Sequence, residues 1–203
     1  MIFGSFLELS GASEFFLKMT STMLGSLKGS GAKVNTMAGG LLGMVSGSAV
    51  ANVMAVGPMT FPMMKKDGFS KDFCGAIAAI SGTGGQLMPP VMGTAAFIIA
   101  ETLAVSYGEV TKAALIPGVL FYLTIWITIN CHSNHLGLKE RKEKADWIPV
   151  VKNGFYYLVP IIFLIVTISV LKWSPIKAGL WSTVLVVAVS QFNKDNRMTL
   201  KSL

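Results

Sequence analysis

Residues 43–52, Gly43-Met44-Val45-Ser46-Gly47-Ser48-Ala49-Val50-Ala51-Asn52, and residues 81–90, Ser81-Gly82-Thr83-Gly84-Gly85-Gln86-Leu87-Met88-Pro89-Pro90, each interrupt a long apolar stretch with small and polar side chains. The hydrocarbon core of a bilayer offers no hydrogen-bond partner to backbone that leaves a helix. A break at that depth therefore survives only where protein buries it or where it lines a polar cavity. Paired breaks in hydrophobic segments are the sequence mark of a transporter's binding site. The chain thus reads as an all-α, polytopic membrane protein with a re-entrant helical hairpin, a discontinuous transmembrane helix and about three further transmembrane helices.

Composition fits that environment. Of 203 residues, 52% are hydrophobic and 13% charged, with a mean hydropathy of +0.61, whereas about 25% charge is usual in a soluble domain. The net charge of +7 comes from Lys and Arg in short runs between apolar segments. It lacks the one-sided basic face and interleaved aromatics of a nucleic-acid binder, so nucleic acid is not an expected partner. Anionic membrane lipid suits those runs better. Cys74 and Cys131 show no metal or redox spacing and read as buried, inert thiols. Met1 opens directly into Ile2-Phe3-Gly4-Ser5-Phe6-Leu7-Glu8, without basic leader or cleavage site, so the frame is expected to start inside a larger structure.

Residues 1–27 carry Glu8, Glu14 and Lys18 and are expected to pack on protein or lie at the interface. After a polar turn at 28–33, the apolar stretch 34–64 holds about thirty residues, too many for one span of about 20. Its limbs, 34–45 and 51–64, would each rise about 18–21 Å as helices, which suits a hairpin entering and leaving on one side. In the second stretch, 73–105, Gly82, Gly84, Gly85, Pro89 and Pro90 forbid one continuous helix. Half-helices 73–81 and 91–105 are expected to meet at an unwound centre. Segments 113–131, 154–171 and 176–192 read as conventional spans, with Phe155, Tyr156, Tyr157, Trp173 and Trp181 at headgroup depth.

Positive charge orients these segments, because loops rich in Lys and Arg stay cytoplasmic. Lys139, Arg141, Lys142, Lys144 and Lys152 hold the 132–153 loop inside; alternation then puts Lys172 and Lys177 outside and Lys194, Arg197 and Lys201 inside. Counting back, 73–105 runs from inside to outside, and Lys65, Lys66 and Lys71 are cytoplasmic. A hairpin over 34–64 keeps Lys28 and Lys33 on that same side, whereas a full crossing would not.

At the first break, the hydroxyls of Ser46 and Ser48, the Asn52 amide and the free backbone around Gly47 converge. Such hard oxygens suit a sodium ion, while helix N-termini favour an anion. Gly43 and Ala49 serve close helix packing equally well. At the second break, Thr83, Gly84, Gly85 and Gln86 supply a hydroxyl, carbonyls and an amide, and Pro89 and Pro90 fix the unwound chain by removing two donors. The plainer account is a proline kink satisfied by neighbouring helices. Glu101 is the carboxylate embedded in an apolar segment, either functional or solvated near the outer end. His132 and His135 read as interfacial. An intramembrane serine hydrolase built on Val45-Ser46-Gly47 would need a histidine within reach, and both are expected half a membrane away. No catalytic residue, cofactor or metal other than sodium is assigned.

Residues 39–66, with Ser46-Gly47-Ser48-Ala49-Val50-Ala51-Asn52 and the later Gly57-Pro58-Met59-Thr60-Phe61-Pro62-Met63-Met64-Lys65, closely resemble the large permease component of tripartite ATP-independent periplasmic (TRAP) transporters. Residues 81–97 look most like the fused permeases that work with TAXI-type solute receptors. The likeness covers most of residues 3–192. It implies a bacterial or archaeal inner-membrane permease that uses a sodium gradient to import a small solute, at family level an organic-acid anion, delivered by an extracytoplasmic binding protein. It also implies two inverted repeats and elevator-type alternating access. In that fold the hairpin tip and the unwound helix centre line the ion and substrate sites, which maps onto Ser46, Gly47, Ser48 and Asn52 with Thr83, Gly84, Gly85 and Gln86. One hairpin and one broken helix make half of such a molecule, so the remainder of the permease is expected in the same gene or a partner chain. The implied organisation is a partial transport repeat over 1–131, a basic cytoplasmic loop over 132–153, and a helix pair over 154–203 that belongs to a scaffold or opens the second repeat. The alternative is a membrane assembly subunit that does not transport.

Overall fold

A computed structural model describes residues 2–140, 154–169, 171 and 173–192, and every regular element among them is helical. Arg141, Lys142, Lys144, Lys152, Lys172, Lys194, Arg197 and Lys201, and with them most of the expected basic loop, lie outside the described residues.

The N-terminal segment forms α1 (Ile2–Leu9) and α2 (Ala12–Leu24), hinged at Gly11, whose φ of 90° suits glycine. Phe3, Leu7, Phe16 and Leu17 are buried in one cluster with Val34, Ala38 and Leu42 of the next helix. These residues pack on protein, as their mixed composition suggests.

The hairpin consists of α3 (Ser30–Ser46) and α4 (Ala49–Asp67). Gly47 ends α3 at φ 62° and donates its N–H to Gly43 O at 3.0 Å, the left-handed cap that glycine alone adopts freely. Ser48 opens α4 by accepting from Ala51 N at 3.3 Å. Two residues thus reverse the chain. The limbs are longer than the apolar pattern implies, 17 and 19 residues, or about 25 and 28 Å, because the polar flanks are helical too. Asp67 makes this possible by accepting from Gly31 N at 2.7 Å and Ser30 Oγ at 3.4 Å. An acid at the last turn of α4 opposes its own helix dipole, yet here it satisfies one of the orphan amides at the start of α3 and complements that helix's dipole. Lys33, expected in a polar turn, is buried on α3 with its ammonium 5.2 Å from the ring centre of Trp126.

The second stretch is broken later than expected. Helix α5 (Lys71–Gly84) continues through Ser81, Gly82 and Gly84; the non-helical segment is 85–93, and α6 (Thr94–Thr102) is shorter than the expected 91–105. Gly82 and Gly84 do not break the helix. They let neighbours approach: a Cβ on Gly82 would sit 2.5 Å from Val53 Cγ2, and one on Gly84 would overlap the Phe121 ring.

Helix α7 (Tyr107–His135) has 29 residues and a mean hydropathy of 1.8 over its most apolar window, and among the described residues it alone is long and apolar enough to cross a bilayer. The other two expected spans are shorter in their apolar parts. They form α8 (Leu158–Ser169), preceded by a 3-10 turn at Phe155–Tyr157, and α9 (Pro175–Phe192). Twelve helical residues in α8 rise about 18 Å, well under a 30 Å core. Tyr157 ties this C-terminal part to the N-terminal helices through Ser10 O at 2.8 Å.

Side-chain register places α5 antiparallel to α7. Phe73 stacks on His132 with ring centres 4.2 Å apart, Gly84 abuts Phe121 and Tyr122, Gly118 abuts Leu87 and Met88, and the Tyr107 hydroxyl donates to Pro90 O at 3.0 Å. Helix α5 and the break together run the length of α7. The outer side of α6 and α7 exposes Ile98, Ile99, Ile116, Leu120, Leu123 and Ile127, a contiguous apolar surface that lipid or protein must cover.

Candidate functional site

The hairpin tip and the helix break form one structure. Gly43 and Gly85 pack backbone on backbone: a Cβ on either would overlap the Cα of the other and lie 2.6 Å from Asn52 Nδ2. Asn52, 2% exposed, donates to Gly82 O at 3.3 Å and accepts from Ser46 Oγ at 2.9 Å. Ser46 Oγ in turn accepts from Ser48 N at 3.3 Å. One amide therefore links the end of α3, the start of α4 and the last turn of α5. A second join lies beside it: Val91 N donates to Met44 O at 3.1 Å, Gly93 N to Gln86 O at 2.9 Å, and a Cβ on Gly47 would overlap Met92 O. Met92 has φ 57°, a left-handed conformation that is unfavourable for a long side chain and holds only where packing imposes it.

Of the residues read from the sequence, the structure brings together Ser46, Gly47, Ser48, Asn52 and Gly85. Gln86 takes part through its carbonyl, while its side chain is on an exposed residue. Thr83 is exposed and its hydroxyl donates to Ala79 O at 2.8 Å, within its own helix. Gly84 packs on Phe121 and Tyr122. Pro89 and Pro90 are buried, and Pro90 O accepts from Tyr107, which also donates to Val91 O. The break's carbonyls are largely engaged: Gly82 O with Asn52, Thr83 O with Gln86 N at 3.1 Å and Gly84 O with Leu87 N at 3.0 Å. Each carbonyl keeps a second lone pair through which it can also meet a cation.

Sequence reasoning missed Met44, Gly82, Met92, Gly93 and Tyr107. Gly82 lay within a recognised motif as a helix breaker and proves to be an acceptor. Nothing local to Tyr107 marks it, because its partners are 16 and 17 residues away.

Ser46 and Gly47 also form part of the wall of a cavity of about 490 Å³ between the break, α1, α8 and α9. Met92, Thr94, Tyr107 and Thr183 contribute further lining, and the rest is mainly apolar. At the tip the carbonyl end of α3 and the amide end of α4 lie side by side, which offers partial negative and partial positive charge within one turn of each other. No group of three or more His, Cys, Asp or Glu side chains suited to a metal ion occurs among the described residues. Ser46 has no histidine base: His132 stacks on Phe69 and Phe73 near the end of α7, and His135 lies one turn beyond. Glu101 is exposed at the end of α6.

The profile of the family described as "Tripartite ATP-independent periplasmic transporter, DctM component" matches residues 1–203. Among curated relatives, the uncharacterized protein YgiK of Salmonella typhimurium is 26% identical over 95% of this chain and 44% of its own length. The isethionate TRAP transporter permease protein DctMQ of Oleidesulfovibrio alaskensis is 30% identical over 79% of this chain and 26% of its own. The C4-dicarboxylate TRAP transporter large permease protein DctM of Pseudomonas aeruginosa is 23% identical over 98% and 47%. The chain spans less than half the length of each of these relatives.

Proposed function

This chain belongs to the DctM family of TRAP transporter large permeases, which are transporters and not enzymes, and from that premise we propose that it forms the tip-and-break half of a sodium-coupled solute site. The observation that carries the reading is the closure of the hairpin on the helix break through Ser46, Asn52 and Gly82, with Gly43 against Gly85. Sodium is held by the hydroxyls of Ser46 and Ser48, the Asn52 carbonyl oxygen and backbone carbonyls of 83–86, all hard oxygens suited to a dehydrated cation. The solute docks beside it, toward the amide end of α4. Relatives are named for C4-dicarboxylates and isethionate, and an organic-acid anion is the solute class that this helix end favours.

In the bacterial inner membrane, the hairpin enters and leaves from the cytoplasmic side and residues 1–131 move against a scaffold, elevator fashion. An extracytoplasmic binding protein delivers solute, and the rest of the permease supplies the facing half of the site. Sodium drives import by binding one conformation more tightly than the other. The test is solute uptake by the complete permease in proteoliposomes with its binding protein. Uptake should require an inward sodium gradient and the loaded receptor; equal uptake with the gradient collapsed rejects sodium coupling, and receptor-independent silence under all gradients favours an assembly subunit.

A further inference from the structure

A second buried asparagine repeats the pattern of Asn52 lower in the hairpin. Asn35, 1% exposed on α3, donates to Ser81 Oγ at 2.6 Å and to Ile77 O at 3.4 Å on α5, and accepts from Thr60 Oγ1 of α4 at 2.7 Å. Ser81 directly precedes Gly82, the acceptor for Asn52. Its backbone carbonyl accepts from Tyr122 of α7 at 3.0 Å. Two amides therefore cross-link the same three helices as successive rungs, the upper at the tip and the lower eleven residues down α3 from Ser46, or about 16 Å along the axis.

The lower rung differs from an ordinary structural hydrogen bond in one respect: both hydroxyl partners have a fallback within their own helix. Thr60 Oγ1 lies 2.9 Å from Val56 O, and Ser81 Oγ donates to Ala78 O at 3.1 Å. Removing the Asn35 amide therefore leaves neither hydroxyl orphaned, and the large cost of a buried unsatisfied donor does not arise. What disappears is the tie between helices. Without it the middle of α5 is held to the hairpin by small-residue contacts such as Gly39 on Ser81, and the Asn52–Gly82 bond near the tip is the remaining amide tie.

We propose that Asn35 is a positioning residue for the tip site: its amide sets the register of α5 against the hairpin, and through Ser81 and Gly82 the reach of Asn52 and the approach of Gly85 to Gly43. It touches neither ion nor solute. The functional half of this claim rests on the sodium reading given above; the geometrical half does not.

The experiment uses the complete permease with Asn35→Leu, close to isosteric but without the amide, and Thr60→Val and Thr60→Ser as companions. Spin labels at Val50 and Gln86, both exposed and on opposite sides of the join, report the register directly. Asn35→Leu should broaden or shift the label distance and raise the sodium concentration for half-maximal uptake about three- to tenfold, the range one cross-helix hydrogen bond is worth. Maximal uptake at saturating sodium should stay within about twofold, because no group that meets the transported species has changed. Thr60→Val should follow Asn35→Leu, and Thr60→Ser, which keeps the hydroxyl, should behave as the unaltered protein. Should Asn35→Leu fail to fold, Thr60→Val against Thr60→Ser decides. An unchanged label distance in the folded variants overturns the proposal, and so does a changed distance with unchanged sodium half-saturation. If the unaltered permease ignores sodium, the coupling reading fails while the label distances still settle the positioning claim.

Discussion

Gly43 of the hairpin and Gly85 of the broken helix exclude a side chain at each other's position. Backbone contact this close can be made only by glycine, and it brings the Asn52 amide between them. Gly43→Ala and Gly85→Ala should each destabilise the folded permease by about 1–3 kcal/mol through overpacking. Each should abolish solute uptake. Gly75→Ala is the control: it lies on the same helix as Ser81 and meets nothing within 4 Å, and it should gain up to about 1 kcal/mol from helix propensity. Thermal melting in detergent compares the three.

Thr83 tests which groups of the second break serve the site. Its hydroxyl is committed to Ala79 O on an exposed face, so Thr83→Val should leave sodium-dependent uptake within about twofold, the change typical of a surface substitution. A loss of tenfold or more would return that hydroxyl to the ion site.

Asp67 closes the far end of the hairpin by bonding Gly31 N and Ser30 Oγ. Asp67→Ala should cost about 0.5–2 kcal/mol, the usual worth of an N-terminal cap. Hydrogen exchange at the Gly31 amide should accelerate while that at Gly47, capped within its own helix at the tip, stays slow. Equal protection at Gly31 in both proteins would show the cap to be idle.

The proposed entry and exit of the hairpin on one side of the membrane requires its two ends to share a face, and Ser30 meets Asp67 there. Cysteines placed at positions 28 and 66 should both be labelled by a membrane-impermeant reagent from the cytoplasmic face only. Labelling from opposite faces would make the 34–64 stretch one net crossing and refute the hairpin.

Much of this arrangement was legible in the sequence because it depends on local chemistry. Ser46-Gly47-Ser48 is a left-handed glycine cap followed by a serine N-cap, and neither needs a distant partner. Asn52 stood out as an amide in an apolar run. The start of the second break was misplaced because glycine weakens a helix but does not end one: Gly82 and Gly84 stay helical, pressed against Val53 and Phe121, which no local pattern foretells. Thr83 was read as a candidate ligand from its place in the motif; its hydroxyl proton goes to the carbonyl four residues back, a partner that helix geometry always offers to threonine. Tyr107 and the Asn35 rung depend wholly on tertiary register and carried no local signal. The two C-terminal segments were read as full spans from hydropathy; among the described residues their apolar helical parts are Leu158–Ile168 and Lys177–Val189.

The most direct test of the central claim is equilibrium sodium binding to the purified, complete permease, compared between the unaltered protein and Ser46→Ala. Ser46 is half-buried at the tip with its hydroxyl on Asn52, and removing it deletes one proposed ligand and frees the Asn52 carbonyl oxygen. Sodium should bind Ser46→Ala about tenfold or more weakly than it binds the unaltered protein, as expected when a charge-assisted contact is lost. Identical sodium affinity in the two proteins would contradict the claim.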